Sequence, residues 1–337
     1  MAVQVRDVLT VLDRITNGRC IKTAHDYVSG KNPYALTRSS HIPGKAVTEM
    51  PGLVYGDLNM EIKKIAVMMT LTESAIELAA ATGVNILVVH HPVADAANSG
   101  GTLIKTYFGA YKMALFELHE AFHGLHNGVP FLHGHRPFFT STSFGGVPGN
   151  VVYVGEALPE VKTAGDLLRR LDKLMNVQAD EQMLLAERKI RQSGDIQETR
   201  VAARGKILAG RPENPVRQII HMFPHAGFTA EHLLRLVKDY PDADTLLATS
   251  SRVYPGHALI NKAGQVGLNF LCGNSHAMEI YENGLPLAKA LQKHLPEAEV
   301  VIFHERMTSV PLEQFGAGEM QAYGNYIAET FLTGQND

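Results

Sequence analysis

Cysteine is nearly absent from these 337 residues, with only Cys20 and Cys272 present. Two thiols exclude a disulfide framework and fit a reducing compartment, so a cytoplasmic location is expected. With sixteen histidines against two cysteines, any metal would be held by nitrogen and oxygen, which suits borderline or hard divalent ions. An excess of one charge is missing too. The formal net charge is −3 and there is no Lys/Arg block, which argues against nucleic acid or an anionic membrane as the main partner, because phosphate binding needs a concentrated basic face. No stretch reaches the ~18 apolar residues of a membrane span. The opening MAVQVRDVLTVLDRI, with Val5, Val8, Leu9, Leu12 and Ile15 at helical spacing, is expected to be a helix and not a signal or transit peptide. A P-loop, a G-x-G-x-x-G fingerprint, a G-x-S-x-G elbow, an H-E-x-x-H pair and a Ser-His-Asp spacing are all absent, which removes the commonest motif-borne chemistries.

What is present is enough apolar material for a large core. Hydrophobic residues make up 45% of the chain and charged residues 19%, and the length predicts two domains. Residues 17–51 carry turn signals in quick succession and are expected to form a loop or small excursion. The segment that follows predicts a strand at 61–69, a helix at 72–82 with Thr72 as N-cap, and a strand at 85–89, together one parallel β-α-β unit. A similar layout returns as a strand at 216–223, a helix after Thr229, and the strand ADTLLATS. The fold class is therefore α/β with weakly repeated β-α-β units in two lobes, a first lobe at 1–175 and a second at 207–337. Residues 176–206 between them, dense in charge, read as a connector with one exposed helix. Later segments predict a helix near 255–265, strands at 266–272 and 298–304, and helices at about 276–294 and 318–332.

The candidate chemistry sits at strand ends. In NILVVHHP the apolar run stops at His90 and His91, closed by Pro92, where an open α/β sheet delivers ligands to its rim. NGVPFLHGHRPFF (127–139) reads as a second strand, ending in His133-Gly134-His135. His119, His123 and His126 fall at i, i+4 and i+7 and read rather as the polar face of a helix. In NSHAMEIYENG, His276 and Glu279 at i and i+3 share a helix face and could grip one cation; Glu282 is a rival carboxylate. Four to six such N/O ligands can hold two divalent ions about 3.5–4 Å apart and activate a water.

The order of these segments, with GLVYGDLNMEIKKIAVMMTLTESAIELAAATGVNILVVHHPV first and NGVPFLHGH, VVYVGEALPEVKTAGDLLRRL and GNSHAMEIYENGLPLAKAL after it, resembles the NGG-interacting-factor-three-like (NIF-three-like) family. These are dinuclear metal-centre hexameric proteins, also known as GTP cyclohydrolase I type 2 homologues. The resemblance implies a two-lobed α/β subunit, a homo-hexamer, and metals held by His90, His91, His135, His276 and Glu279. Divalent zinc, iron or manganese, one or two per chain, fits that set. In this alignment His135 starts the family's His-Thr-Asn-Leu-Asp motif, so Phe139 stands where the family has a bridging Asp, with His133 or Asp95 as substitutes. The family's Gly-His-x-x-x-Glu spacing is also one residue short: aligned on Glu279, the ligand His falls on Ser275 and not on His276.

Two functions stay open at this level. One is a metal-dependent hydrolase acting on a small nucleotide-like or polar substrate through metal-activated water. The other is a non-catalytic hexameric metal-binding or regulatory protein with a degenerate site. The hydrolase reading, and the family's mechanism with it, requires imidazoles from distant parts of the chain, His90, His135 and His276, to meet around a shared cation.

Overall fold

The computed structural model describes residues 2–39, 43–44, 46–93, 104–223, 228–249, 256–273 and 276–332. The strands, in chain order, begin with a hairpin of β1 (Leu36–Ser39) and β2 (Ala46–Glu49), followed by β3 (Gly52–Tyr55), β4 (Lys64–Met68), β5 (Ile86–Val89), β6 (Ala114–Glu117), β7 (His135–Ser141) and β8 (Val152–Ala157). They continue as β9 (Gln197–Glu198), β10 (Lys206–Ala209), β11 (Gln218–Met222), β12 (Thr245–Ala248), β13 (Asn269–Cys272), β14 (Glu299–Ile302) and β15 (Thr308–Ser309). Two compact units result, one from residues 1–175 and 205–305, the other from 176–204 and 306–337.

The larger unit is mixed α/β, as expected, and holds two main sheets. One has five strands in the order β14-β4-β5-β6-β3, the other six in the order β10-β13-β12-β11-β8-β7. In the first, β14, β4, β5 and β6 run parallel and β3 closes the edge antiparallel. Alternate residues of these strands feed two cores. Ile65, Val67, Ile86, Val88 and Phe116 pack with the helices Val5–Ile15 and Leu285–His294, while Met68, Leu87, Val89 and Leu115 pack with the helix Glu73–Ala81. Both faces are covered, and that is why Ile86, Leu87, Val88 and Val89 form a continuous apolar run instead of an alternation. Burying these four side chains contributes on the order of 6–12 kcal/mol as an upper bound. β5 is a rigid post.

The six-stranded sheet repeats the plan. Its β11, the helix Ala230–Asp239 capped by the Thr229 side chain, and β12 form a second parallel β-α-β unit. The sheets do not follow the lobe boundaries read from sequence. β7 and β8, from the first half, pair into the second sheet through β8 and β11, and β14, from the second half, pairs with β4. The apolar faces of Val152, Val154 and Val300 find their complements there, and no sequence period reports such long-range pairing.

Local differences have equally plain causes. Residues 128–132 are helical, not extended, with Pro130 tolerated in the first turn, and the strand begins only at His135. The stretch 17–51 contains a short helix, Ala24–Val28, and the β1/β2 hairpin. In the smaller unit, the helix Val177–Ile190 is only partly exposed. It buries Val177, Asp180 and Leu184, and Asp180 takes a buried ion pair from Arg200 at 2.6 Å.

Candidate metal centre

Because β4, β5 and β6 are parallel neighbours, their carboxyl ends share one rim. His90 and His91 extend β5 by backbone bonds to Met68 and Met69, and Pro92, lacking an N–H, ends the ladder. Adjacent residues on an extended chain point apart. The rings of His90 and His91 accordingly lie 5.3 Å apart between centroids and serve different neighbours.

His91 faces the segment after β13. Its Nε2 lies 2.6 Å from His276 Nε2 and 2.9 Å from Glu279 Oε2, while His276 Nε2 is 3.5 Å from the same carboxylate oxygen. Thr70 Oγ1 sits 2.8 Å from His91 Nδ1 and fixes the ring. The 3₁₀ turn His276–Met278 and the π-helical turn Ile280–Gly284 aim successive side chains at different targets. Glu279 reaches His91, Glu282 Oε1 lies 3.3 Å from His133 Nε2, and Asn283 Nδ2 lies 3.4 Å from His90 Nε2. Glu279 is thus the carboxylate beside the paired histidines, and Glu282 belongs elsewhere. Burial alone would raise the Glu279 pKa, but its bond to His91 and the nearby His276 outweigh burial and hold it at about 2.

His90 faces the end of β6. There a four-residue helix, His119–Phe122, is followed by His123, and Arg19 Nη1 donates to the carbonyls of Ala121 and His123. His123 Nε2 lies 3.1 Å from His90 Nε2. The rings of His90, His119 and His123 form a near-equilateral triangle with centroid separations of 5.3, 5.0 and 5.0 Å. Burial, then the neighbouring imidazoles of His123, His119 and His91, push the His90 pKa well below the ordinary histidine value. Behind the triangle, Glu49 Oε2 sits 3.0 Å from His119 Nδ1, and Glu120 Oε2 sits 2.9 Å from His123 Nδ1. Glu117 uses both carboxylate oxygens to accept the backbone N–H groups of Met50 and Val93, tying the end of β2 to the His-His-Pro turn.

These residues fit a divalent cation. Ligand atoms of His90, His119 and His123 lie within 4.8 Å of one another, as do those of His90, His91 and Glu279. Three rings bound tetrahedrally at the ~2.0–2.1 Å of a zinc–nitrogen bond would put their centroids about 5 Å apart, close to the triangle observed. The atoms His91 Nε2, His276 Nε2 and Glu279 Oε2 converge at 2.6–3.5 Å, close enough to share either a proton or one cation. His90 Nδ1, moreover, is buried with no hydrogen-bond partner among the described residues.

His135, which the hydrolase reading from sequence required at this centre, lies in a different group, so that requirement fails as stated; the imidazoles that meet His90 are those of His119 and His123. Its Nε2 is 2.9 Å from His221 Nδ1, and His133 packs against the same His221 ring at 4.8 Å. Burial holds His133 at about 4 and His135 at about 3. Among the described residues, no three metal-competent atoms that include His135 come within 4.8 Å of one another. Phe139 is likewise away from the paired histidines, its ring 5.6 Å from that of Tyr240. The residues that do stand beside His90 are His119 and His123, directly after β6. His133 contacts Glu282 and does not join the triangle; Asp95 and Ser275 lie outside the described residues. Sequence reasoning missed His119, His123, Glu49 and Glu120. The position of His119 just past a buried strand, ALFE, was the available signal.

Residues 35–99 match the model of the Duf34/NIF3 (NGG1p interacting factor 3) family. Among solved structures, reduced HcgD from Methanocaldococcus jannaschii is similar at 15% identity and a TM-score of 0.55, over 90% of this chain and 98% of that one. A Bacillus cereus protein related to NIF3 is similar at 10% identity and a TM-score of 0.56, over 90% and 97%. The chain is NIF3-like in fold, and in sequence over residues 35–99. A Staphylococcus aureus protein, SA1388, gives 12% identity and a TM-score of 0.56 over 94% of this chain and all of its own. No curated protein matches this NIF3-like chain by sequence. The matched stretch contains β4, β5 and the paired histidines, so the sequence likeness falls on the rim of the five-stranded sheet.

Proposed function

We propose that this NIF3-like chain is a divalent-metal-dependent hydrolase of small, polar, nucleotide-like substrates, working in the cytoplasm as a homo-oligomer, by resemblance a hexamer. Two metal positions are assigned, one to His91, His276 and Glu279, the other to His90, His119 and His123. A cation held by these residues would supply Lewis acidity and lower the pKa of water at the site toward neutral. The chain's own residues do the rest. Glu279 stays ionised at neutral pH, Thr70 holds His91 in orientation, and the buried post β5 fixes the spacing of the two positions. The substrate class rests on the family resemblance.

The observation that carries this reading is the convergence of six ligand-competent side chains from three separate segments on one sheet rim. Elemental analysis of purified protein, with hydrolysis of nucleotide substrates assayed before and after chelation, tests it. About two metals per chain and activity restored by metal support it; hydrolysis that survives complete chelation removes it. A second reading, a non-catalytic metal-binding or regulatory oligomer, is favoured by the all-imidazole make-up of the His90, His119 and His123 group. Substoichiometric metal would support that alternative.

A further inference from the structure

Three neutral imidazoles around a doubly charged cation leave its charge uncompensated. A carboxylate ligand would supply negative charge directly; His90, His119 and His123 offer none. Yet two buried carboxylates, Glu49 and Glu120, each only 1% exposed, stand immediately behind the triangle. Their ligand-competent atoms fall within 4.8 Å of His119. They come from unrelated places, Glu49 from the last residue of β2 and Glu120 from the helix between the two histidines. Glu120 has Gly149 pressed against it, at φ +82°, where a side chain would collide with the carboxylate.

We propose that Glu49 and Glu120 are positioning residues that move the missing negative charge one shell outward, making His90, His119 and His123 an all-imidazole position for a zinc-class ion. The proposal rests on the metal-centre reading above. With Nδ1 of His123 facing Glu120 at 2.9 Å, its Nε2 is left to face His90 at 3.1 Å. With Nδ1 of His119 facing Glu49 at 3.0 Å, Nε2 is the nitrogen left for the group His119 forms with His90 and His123. Each carboxylate thereby accepts an Nδ1–H, selects one tautomer, and raises the basicity of the opposite nitrogen. Glu49 lies in the β1/β2 hairpin, so an element that carries no ligand of its own becomes part of the metal centre.

The test uses the full chain stripped of metal, with Zn²⁺ affinity measured by competition against a chelating dye and ring tautomers read by long-range ¹⁵N–¹H spectra of the zinc-loaded protein. Glu49→Gln and Glu120→Gln are each expected to weaken one zinc equivalent by ~10–100-fold and leave the other unchanged. His119 and His123, assigned through His119→Gln and His123→Gln, are expected to carry their protons on Nδ1. The tautomer measurement needs no carboxylate variant, so it decides even if those variants fold poorly. A proton on Nε2 of either ring, or full zinc affinity in folded Glu49→Gln and Glu120→Gln, overturns the proposal while leaving the metal centre standing. A wild-type chain that takes up no zinc overturns both.

Discussion

The molecule buries two groups of histidines, and the contrast between them is instructive. Around His90 and His91, imidazoles are interleaved with carboxylates: Glu279 on His91, Glu49 on His119, Glu120 on His123. Around His221, the rings of His133 and His135 tilt against it, with Glu282 the one carboxylate beside them among the described residues. Both groups are largely buried, the second completely: His133, His135 and His221 are 0% exposed, whereas the His276 side chain in the first is 34% exposed. Burial costs a charged imidazole several kcal/mol wherever it sits, so an unassisted ring simply stays neutral. Histidine content therefore says little about metal binding; convergence of lone pairs together with nearby negative charge is what distinguishes the first group.

The comparison can be broken most decisively at His91. His91→Ala should lower metal affinity at its position by more than the ~10–100-fold that loss of an outer partner costs, whereas His221→Ala should leave metal content unchanged by elemental analysis. Equal losses from both variants would erase the distinction. Next in size is the pH response of the second group. Folded-state values of about 4 for His133 and about 3 for His135 lie below the unfolded value of 6.5. Stability is therefore complete above pH 6.5 and falls as pH drops from 6.5 toward 4, because the unfolded chain takes up protons the folded one refuses. The slope should approach about 1.4 kcal/mol per pH unit per histidine, measured by urea unfolding in chelator. Glu279 enters only below its ordinary value of 4.5, while His90 and His221, also held down by burial, add to the same fall, so His135→Gln is the variant that isolates the share of one ring. A flat profile between pH 6.5 and 4.5 would mean that these rings are not held neutral.

A smaller effect sharpens the assignment of the carboxylates. Glu282→Gln should leave metal affinity within about twofold, while Glu279→Gln should weaken it by at least the ~10-fold typical of a lost outer partner. The reverse order would return Glu282 to the centre. Smallest of all, Phe139→Leu, which trims a partly buried ring, should cost about 1–2 kcal/mol and leave metal content untouched, since the ring packs beside Tyr240.

How much of this the sequence revealed depended on the range of the interaction. The paired histidines were legible because an apolar run of β-branched residues, a Pro stop and the rim rule all act within eight residues. His276 and Glu279 were legible from helical spacing. His119 and His123 were not, since i, i+4, i+7 is also the signature of a solvated helix face, and the real helix stops after four residues. Val129-Pro130-Phe131-Leu132 shows the same ambiguity in reverse: a short apolar run fits strand or helix, and here Pro130 falls in a helical turn. Glu49 was out of reach, because only the register of a hairpin in an otherwise turn-rich stretch brings it to the rim.

Glu117 carries a last consequence. Both of its oxygens accept backbone N–H groups, and it is the knot between the strand that delivers Glu49 and the turn that follows His91. Cutting it would slacken two approaches to the cleft at once, so a lesion there would masquerade as the loss of a ligand, and the reach of this centre extends to a residue no coordination list would contain.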